Sequence, residues 1–243
     1  MPANAVVSQI ATPGYYALFM NANLNPILKE TGLRTALNAV VDKRKIIEEI
    51  FQNQAEAVTG PLGRWGDEQE TPTEPSLEEA KKTIANLKTK LKQEKIELTI
   101  ALPKIDFLEK AVKIIEENWL ALGVETNIIS LSSSELLNNV VKTNNYEILL
   151  FGNILQDPLD LFPFWHSSER FYPGLNLALY KNTKVDNLIE KVRQTEDKYE
   201  RASLAKEAEN IIIKEKPAIF LFTVPYTSCL IYRMGKTNFF ALL

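Results

Sequence analysis

The chain has 243 residues, 45% apolar and 24% charged, with a formal net charge of -3; this is the make-up of a globular protein with material for a sizeable core. That charge gives no pull towards nucleic acid or an anionic membrane, since both need a basic face, and no stretch approaches the ~20 apolar residues of a membrane span. A single cysteine, Cys229 in an apolar run, excludes an internal disulfide and reads as a small buried hydrophobe.

The opening Met1 to Pro13 lacks the basic and apolar regions of a signal peptide, so the chain is either cytosolic or a piece of a longer one. Tyr15 to Met20 reads as a strand, and Pro26 marks a turn. Leu33, Ala36, Leu37, Val40 and Val41 share one helical face, and Asp42 is placed to cap a second helix through Ile46, Ile47, Ile50 and Phe51. Thr59 to Pro75 is polar and rich in proline and glycine, and reads as an extended surface segment.

Four later helices are announced by a small or acidic cap with glutamate three residues on: Ser76/Glu79, Asp106/Glu109, Ser132/Glu135 and Asp197/Glu200. They predict helices over Leu77 to Leu91, Phe107 to Leu122 (stopped by Gly123), Leu136 to Lys142, and Lys198 to Lys214 before Pro217. Val185, Leu188, Ile189 and Val192 add a helix from Lys184 to Arg193. Short β-rich runs lie between, over Ile96 to Leu102, Val124 to Leu131, Tyr146 to Phe151, Ile219 to Val224 and Ser228 to Tyr232. Strand alternating with helix indicates an α/β domain with mainly parallel neighbours, and residues 1–243 read as one domain.

The stretch Tyr146 to Asn182 stands out. A buried strand ends at Gly152, and a long loop then gathers Asn153, Gln156, Asp157, Trp165, His166, Asn176 and Tyr180. His166 is the only histidine. Two readings fit: a self-packed aromatic connector, or a binding edge with apolar walls and a few orienting polar groups. Taken singly, Trp165 fits core packing better than a cleft wall. Asp157 before Pro158 can open a turn, and Asp160 can cap a short helix over Leu161 to Trp165.

Other chemistries lack their residues. Neither a P-loop nor GxGxxG occurs, and there are only nine glycines to build one. No GxSxG elbow exists; a serine triad would have to use His166, and Ser167 and Ser168 beside it do not complete one, so a distant serine would be needed. One histidine and one cysteine give no zinc-ligand spacing.

Several ordered segments resemble the family 5 extracellular solute-binding proteins, the peptide-, dipeptide- and nickel-binding components of ABC importers. Leu33-Arg34-Thr35-Ala36-Leu37-Asn38-Ala39-Val40-Val41-Asp42-Lys43 is similar to the family's VRQALAYAIDR helix, followed by Gly60-Pro61-Leu62 and the Ser76-Leu77-Glu78-Glu79-Ala80-Lys81 helix start. Trp119-Leu120 with Gly123-Val124 resembles a further element. Asp157-Pro158, Trp165-His166-Ser167-Ser168, Gly174-Leu175-Asn176 and Tyr180-Lys181-Asn182 resemble a DP…WHSS…GLN…YSN signature, and Lys216-Pro217-Ala218-Ile219-Phe220-Leu221 a closing strand.

The resemblance implies an α/β, type II periplasmic-binding-protein-like lobe with a mainly parallel sheet and hinge-type strands near 15–20 and 219–224. It implies no enzyme, cofactor or metal. The expected role is the second lobe of a two-lobed clamp that closes by rotation on a small peptide or similar solute and serves a membrane ABC permease. The first lobe and the export signal would lie outside this chain, Met1 would mark a fragment boundary, and the compartment would be extracytoplasmic, in the periplasm or on a lipoprotein-type surface anchor. The alternative is a lobe that lost transport and serves as a surface or signalling interaction module. The expected ligand-facing residues are Gly152, Asn153, Gln156, Asp157, Trp165 and Asn176, centred on the turn Gly152 to Asp157 with Asn176 behind it. The family's peptide-binding members carry an acid for the substrate amine a few residues before Asp-Pro; here Ile154-Leu155-Gln156 stands there, and Asn153 replaces a frequent tryptophan.

Overall fold

Helix starts in this chain are set by side chains that accept the first free backbone N–H groups. The computed structural model, which describes residues 5–10, 14–65, 74–233 and 236–242, shows this at most of the expected positions. Its elements run β1 (Ala5–Ile10), β2 (Gly14–Met20), α1 (Thr31–Val40), α2 (Lys43–Phe51), β3 (Glu56–Ala57), α3 (Leu77–Leu91) and β4 (Ile96–Pro103). There follow α4 (Asp106–Leu120), β5 (Val124–Leu131), α5 (Ser133–Glu135) continuing as a π-helical turn (Leu136–Val141), β6 (Ile148–Ile154) and α6 (Phe162–Trp165). The chain then forms α7 (Thr183–Gln194), α8 (Lys198–Glu215), β7 (Ala218–Thr223), β8 (Tyr226–Arg233) and β9 (Lys236–Leu242).

Ser76 with Glu79 and Ser132 with Glu135 form reciprocal capping boxes, and Asp42 and Asp197 accept from the first turns of α2 and α8. Asp106 does not cap. It is the first residue of α4, its carboxylate pairs with Lys110 at 2.8 Å, and Glu109 accepts from the Ser130 hydroxyl at 2.6 Å. Both halves of the expected box are engaged elsewhere. The residues Gly60, Pro61 and Leu62 are buried rather than on the surface. The buried Glu209 carboxylate accepts from Leu62 N at 3.0 Å, and a Cβ on Gly60 would run into that carboxylate and Ile213. The remainder of that segment, 66–73, lies outside the described residues, as does the Cys229 side chain.

Six strands form one sheet in the order β3-β7-β2-β6-β4-β5. The α/β class and flanking helices match expectation, but the sheet is mixed rather than mainly parallel. The pairs β4–β5 and β4–β6 are parallel, while β2–β6, β2–β7 and β3–β7 are antiparallel. Helical crossovers do make β4, β5, β6 and β7 run the same way. The first strand of this sheet, β2, is inserted against that direction between β6 and β7, so it converts two neighbours into antiparallel ones. The strands β1, β8 and β9 form a separate antiparallel sheet in the order β1-β8-β9. The paired strands β2 and β7 each continue into it, β2 from β1 and β7 into β8.

Alternation along β2 divides the interior. Leu18 and Met20 join the cluster under α1, α3 and α4 with Leu33, Leu37, Ile84, Ile115 and Trp119. Tyr15, Ala17 and Phe19 join the opposite cluster with Trp165, Val185, Ile189, Ala208 and Ile212. Both faces of the strand are therefore covered, which explains why its sequence is a continuous apolar run instead of an alternating one. No helix among the described residues is long and apolar enough to cross a membrane.

Candidate functional site

The strands β4, β6 and β7 end on the same edge of the sheet, at Pro103, Ile154 and Thr223, and antiparallel β2 begins there at Gly14. Carboxyl ends of co-directional strands are where open α/β sheets leave room for ligands, because the connecting loops diverge there. A groove of about 560 Å³ occupies this edge, walled by the end of α2, the start of α4 and the ends of the strands.

Its aromatic wall, Tyr16, Phe51 and Phe107, is assembled from three separate segments and backed by the buried Phe222. Tyr16 lies 5.3 Å from Phe107 and 5.3 Å from Phe222, and Phe51 packs 5.6 Å from Phe107 and 4.8 Å from Phe222, measured between ring centres. Gly152 pairs with Tyr16 across β2–β6, and a Cβ there would stand 2.7 Å from the Tyr16 ring. Glycine at 152 thus lets the ring lie over the strand. Ile105 and Ile154, 38% and 61% exposed, form apolar parts of the lining. The polar residues of the lining are uncharged: Tyr15, Tyr16, Gln52, Gln54, Asn153 and Thr223.

Of the six residues expected to face the ligand, the groove brings together two, Gly152 and Asn153. Both belong to β6, which runs three residues beyond the strand end expected at Phe151. Asn153 is 4% exposed and donates its amide to the Tyr15 hydroxyl at 3.2 Å. Gln156 is exposed and not part of the lining. Trp165 is fully buried, donating Nε1 to the same Tyr15 hydroxyl at 3.0 Å and packing against Phe220 and Tyr180. Asn176 is 1% exposed and ties the loop to itself, donating to the His166 and Tyr180 carbonyls and accepting from Tyr180 N. These two are packing groups under the site. Burial raises the Tyr15 phenol well above its usual range, so it stays protonated with its oxygen available to both donors.

Asp157 serves the loop. It accepts from Arg201 at 2.6 Å and from Leu159 N at 3.0 Å, and Arg201 also reaches the Val192 carbonyl. Partial burial pushes this carboxyl up, but the Arg201 and Leu159 hydrogen bonds outweigh it and hold it below its ordinary value. Asp160 accepts from Phe162 N and pairs with Arg193, as its place before a short helix suggested.

His166 is closer to a triad than its sequence neighbours implied. Nδ1 lies 2.8 Å from Ser168 Oγ and Nε2 lies 3.1 Å from Glu190. The Ser168 backbone N–H also donates to Nδ1, and its hydroxyl reaches Glu169 at 2.8 Å, so the ring is the cap of a 3₁₀ turn. None of these residues lines the groove. Among the described residues, no three His, Cys, Asp or Glu side chains converge as a metal site would require.

Sequence reasoning missed Tyr16, Phe51, Phe107 and Ile105. The usable signal was positional: Phe51 closes α2 and Phe107 opens α4, beside the strand ends where a site forms.

A family model of bacterial extracellular solute-binding proteins, family 5 middle region, matches residues 2–171. The dipeptide-binding protein of Escherichia coli K12 is 21% identical over 229 residues, covering 91% of this chain and 43% of that protein. The Bacillus subtilis oligopeptide-binding protein AppA, solved with a nonapeptide, superposes with a TM-score of 0.81 at 19% identity, covering 93% of this chain and 48% of AppA. DppA of Helicobacter pylori, an ABC transporter-associated periplasmic binding protein solved with the peptide STSA, gives 0.81 at 22% identity over 95% and 45% of the two chains. The chain thus spans less than half the length of these relatives. With 170 of its 243 residues inside the family model, the chain belongs to the family 5 bacterial extracellular solute-binding proteins, which are binding proteins and not enzymes.

Proposed function

We propose that this chain is the second lobe of an ABC importer's solute-binding protein, and that its groove forms half of a cleft for small peptides. The observation that carries the reading is the groove of about 560 Å³ on the edge where β2 and β7 leave the six-stranded sheet. A ligand held there touches both sides of a crossing point, as a hinged clamp requires. The lobe-joining segments would be β2 and β7, the strands expected from sequence near 15–20 and 219–224. Ligand contacts made only when a first lobe swings over the groove would favour the closed form, and the closed form would engage a membrane permease on the extracytoplasmic side.

The peptide assignment is supported by the neutral amide and hydroxyl groups of the lining, which suit backbone C=O and N–H groups, and by relatives solved with peptides. Isothermal titration of the intact protein against di- to pentapeptides tests it. Saturable binding to at least one length is expected; silence towards every length from folded protein overturns the reading.

A further inference from the structure

We infer that this lobe receives an uncharged, apolar segment of the ligand and leaves the charges of the peptide ends unread. The inference rests on the peptide function proposed above and narrows it to a substrate class.

Three observations carry it. First, none of the described residues lining the groove is charged. An ammonium or carboxylate seated against Tyr16, Phe51 and Phe107 would lose its water without gaining a partner, which disfavours it strongly. Second, Asp106 and Asp157 are both outside the lining and both engaged: Asp106 pairs with Lys110 at 2.8 Å, and Asp157 is held by Arg201 at 2.6 Å and by Leu159 N at 3.0 Å. Recruiting Asp157 for an amine would break the tie that fixes its own loop to α8. Third, the polar residues of the lining carry only amides and hydroxyls, which can fix a peptide backbone without selecting for charge. A leucine or phenylalanine side chain against the aromatic wall satisfies all three conditions. A lysine or aspartate side chain would find no charged partner in the lining.

The test is calorimetry on the intact protein with the tripeptides Leu-Phe-Leu, Leu-Lys-Leu, Leu-Asp-Leu, Phe-Lys-Phe and Lys-Phe-Lys, together with N-acetyl-Leu-Phe-Leu. The all-apolar peptide is expected to bind at least tenfold more tightly than the lysine and aspartate peptides. Asp157→Asn should change the ratio between free and acetylated Leu-Phe-Leu by less than twofold. Gln54→Glu puts a carboxylate at an exposed lining position and should shift the preference between Leu-Lys-Leu and Leu-Asp-Leu at least fivefold towards the lysine peptide. Equal or tighter binding of charged peptides overturns the inference while the peptide function stands. A tenfold loss on Asp157→Asn confined to the free-amine peptide does the same, as does an unresponsive Gln54→Glu variant. Silence towards the whole set from folded wild-type protein overturns the inference, and silence that extends to every length from two to five residues overturns the peptide function as well.

Discussion

Tyr15→Phe removes one oxygen and should still be costly. The hydroxyl is the shared acceptor of Trp165 Nε1 at 3.0 Å and Asn153 Nδ2 at 3.2 Å, and Tyr15 itself is 2% exposed. The ring and its edge contact with Phe220 at 5.2 Å survive the change, so the packing contribution is nearly constant. What changes is that two buried donors lose their acceptor, at about 1–3 kcal/mol for each donor that water cannot reach. Asn153 borders the groove and can recruit water, whereas Trp165 is fully buried. The expected loss is therefore about 2–3 kcal/mol, most of it from the indole. Urea unfolding followed by circular dichroism measures it, with an unchanged m-value as the check that only the folded state was altered. Trp165→Phe deletes the donor and leaves a cavity. In the double variant no indole remains to be orphaned, so its loss should fall short of the sum by about 1–2 kcal/mol. Single-site losses that add to within about 0.5 kcal/mol, or a Tyr15→Phe cost under that figure, would refute the shared-acceptor argument.

Three further perturbations test other parts of the structure. Burial pushes the Lys43 ammonium down to about 8 from 10.5, with Glu74 opposing and Lys216 adding to the shift, while its Nζ donates to the Val58 carbonyl. Between those two values the unfolded chain binds the extra proton, so stability should rise by about 2 kcal/mol from about pH 7 to about pH 9.5, a rise missing in Lys43→Met when both are melted in parallel. Gly152→Val should drive the Tyr16 ring from the strand, costing about 1–3 kcal/mol in thermal unfolding and weakening any peptide binding the wild type shows by more than that stability loss alone predicts. Glu209→Ala should cost about 3 kcal/mol or more by withdrawing the buried acceptor of Leu62 N, while Glu209→Gln should cost less because one carbonyl oxygen remains; equal losses in chemical denaturation would count against that role.

The sequence spoke most clearly where the physics is local. Capping by Ser76, Ser132, Asp42 and Asp197 depends on residues three apart, and each is seen. Asp106 shows the limit: the same pattern was outcompeted by Lys110 and Ser130, partners that only the fold brings near. Sheet direction was legible for β4, β5 and β6 because a crossover enforces it, whereas the insertion of β2 between β6 and β7 is a long-range choice with no local signature. The site was half legible for the same reason. Gly152 and Asn153 lie near the end of β6, beside the strand end that the sequence marks; Phe51 and Phe107 meet Tyr16 only after α2 and α4 pack over the sheet edge. Two polar residues of the long loop misled because their side chains are already engaged, Asp157 by Arg201 and Asn176 by backbone groups. Asn176 alone makes three hydrogen bonds to neighbouring backbone, which is what a buried amide needs and what a ligand-facing one would leave open.

Groove and core share the strand β2, and that joins recognition to stability. Tyr16 faces the aromatic wall while Tyr15, one residue earlier and on the opposite face, anchors Trp165 and Asn153. A one-residue slip of this strand would exchange the two tyrosines, pulling the acceptor from Trp165 and the wall from the groove together. Register is held by close packing over Gly152 on one face and by the Trp165 hydrogen bond on the other. A strand fixed on both faces in this way would move as one rigid part with the groove in the proposed clamp. On that reasoning the proposed clamp needs no give within the groove itself. Substitutions that soften β2 should cost stability before they alter which peptide is chosen, whereas substitutions at Phe51 or Phe107 should alter the choice first.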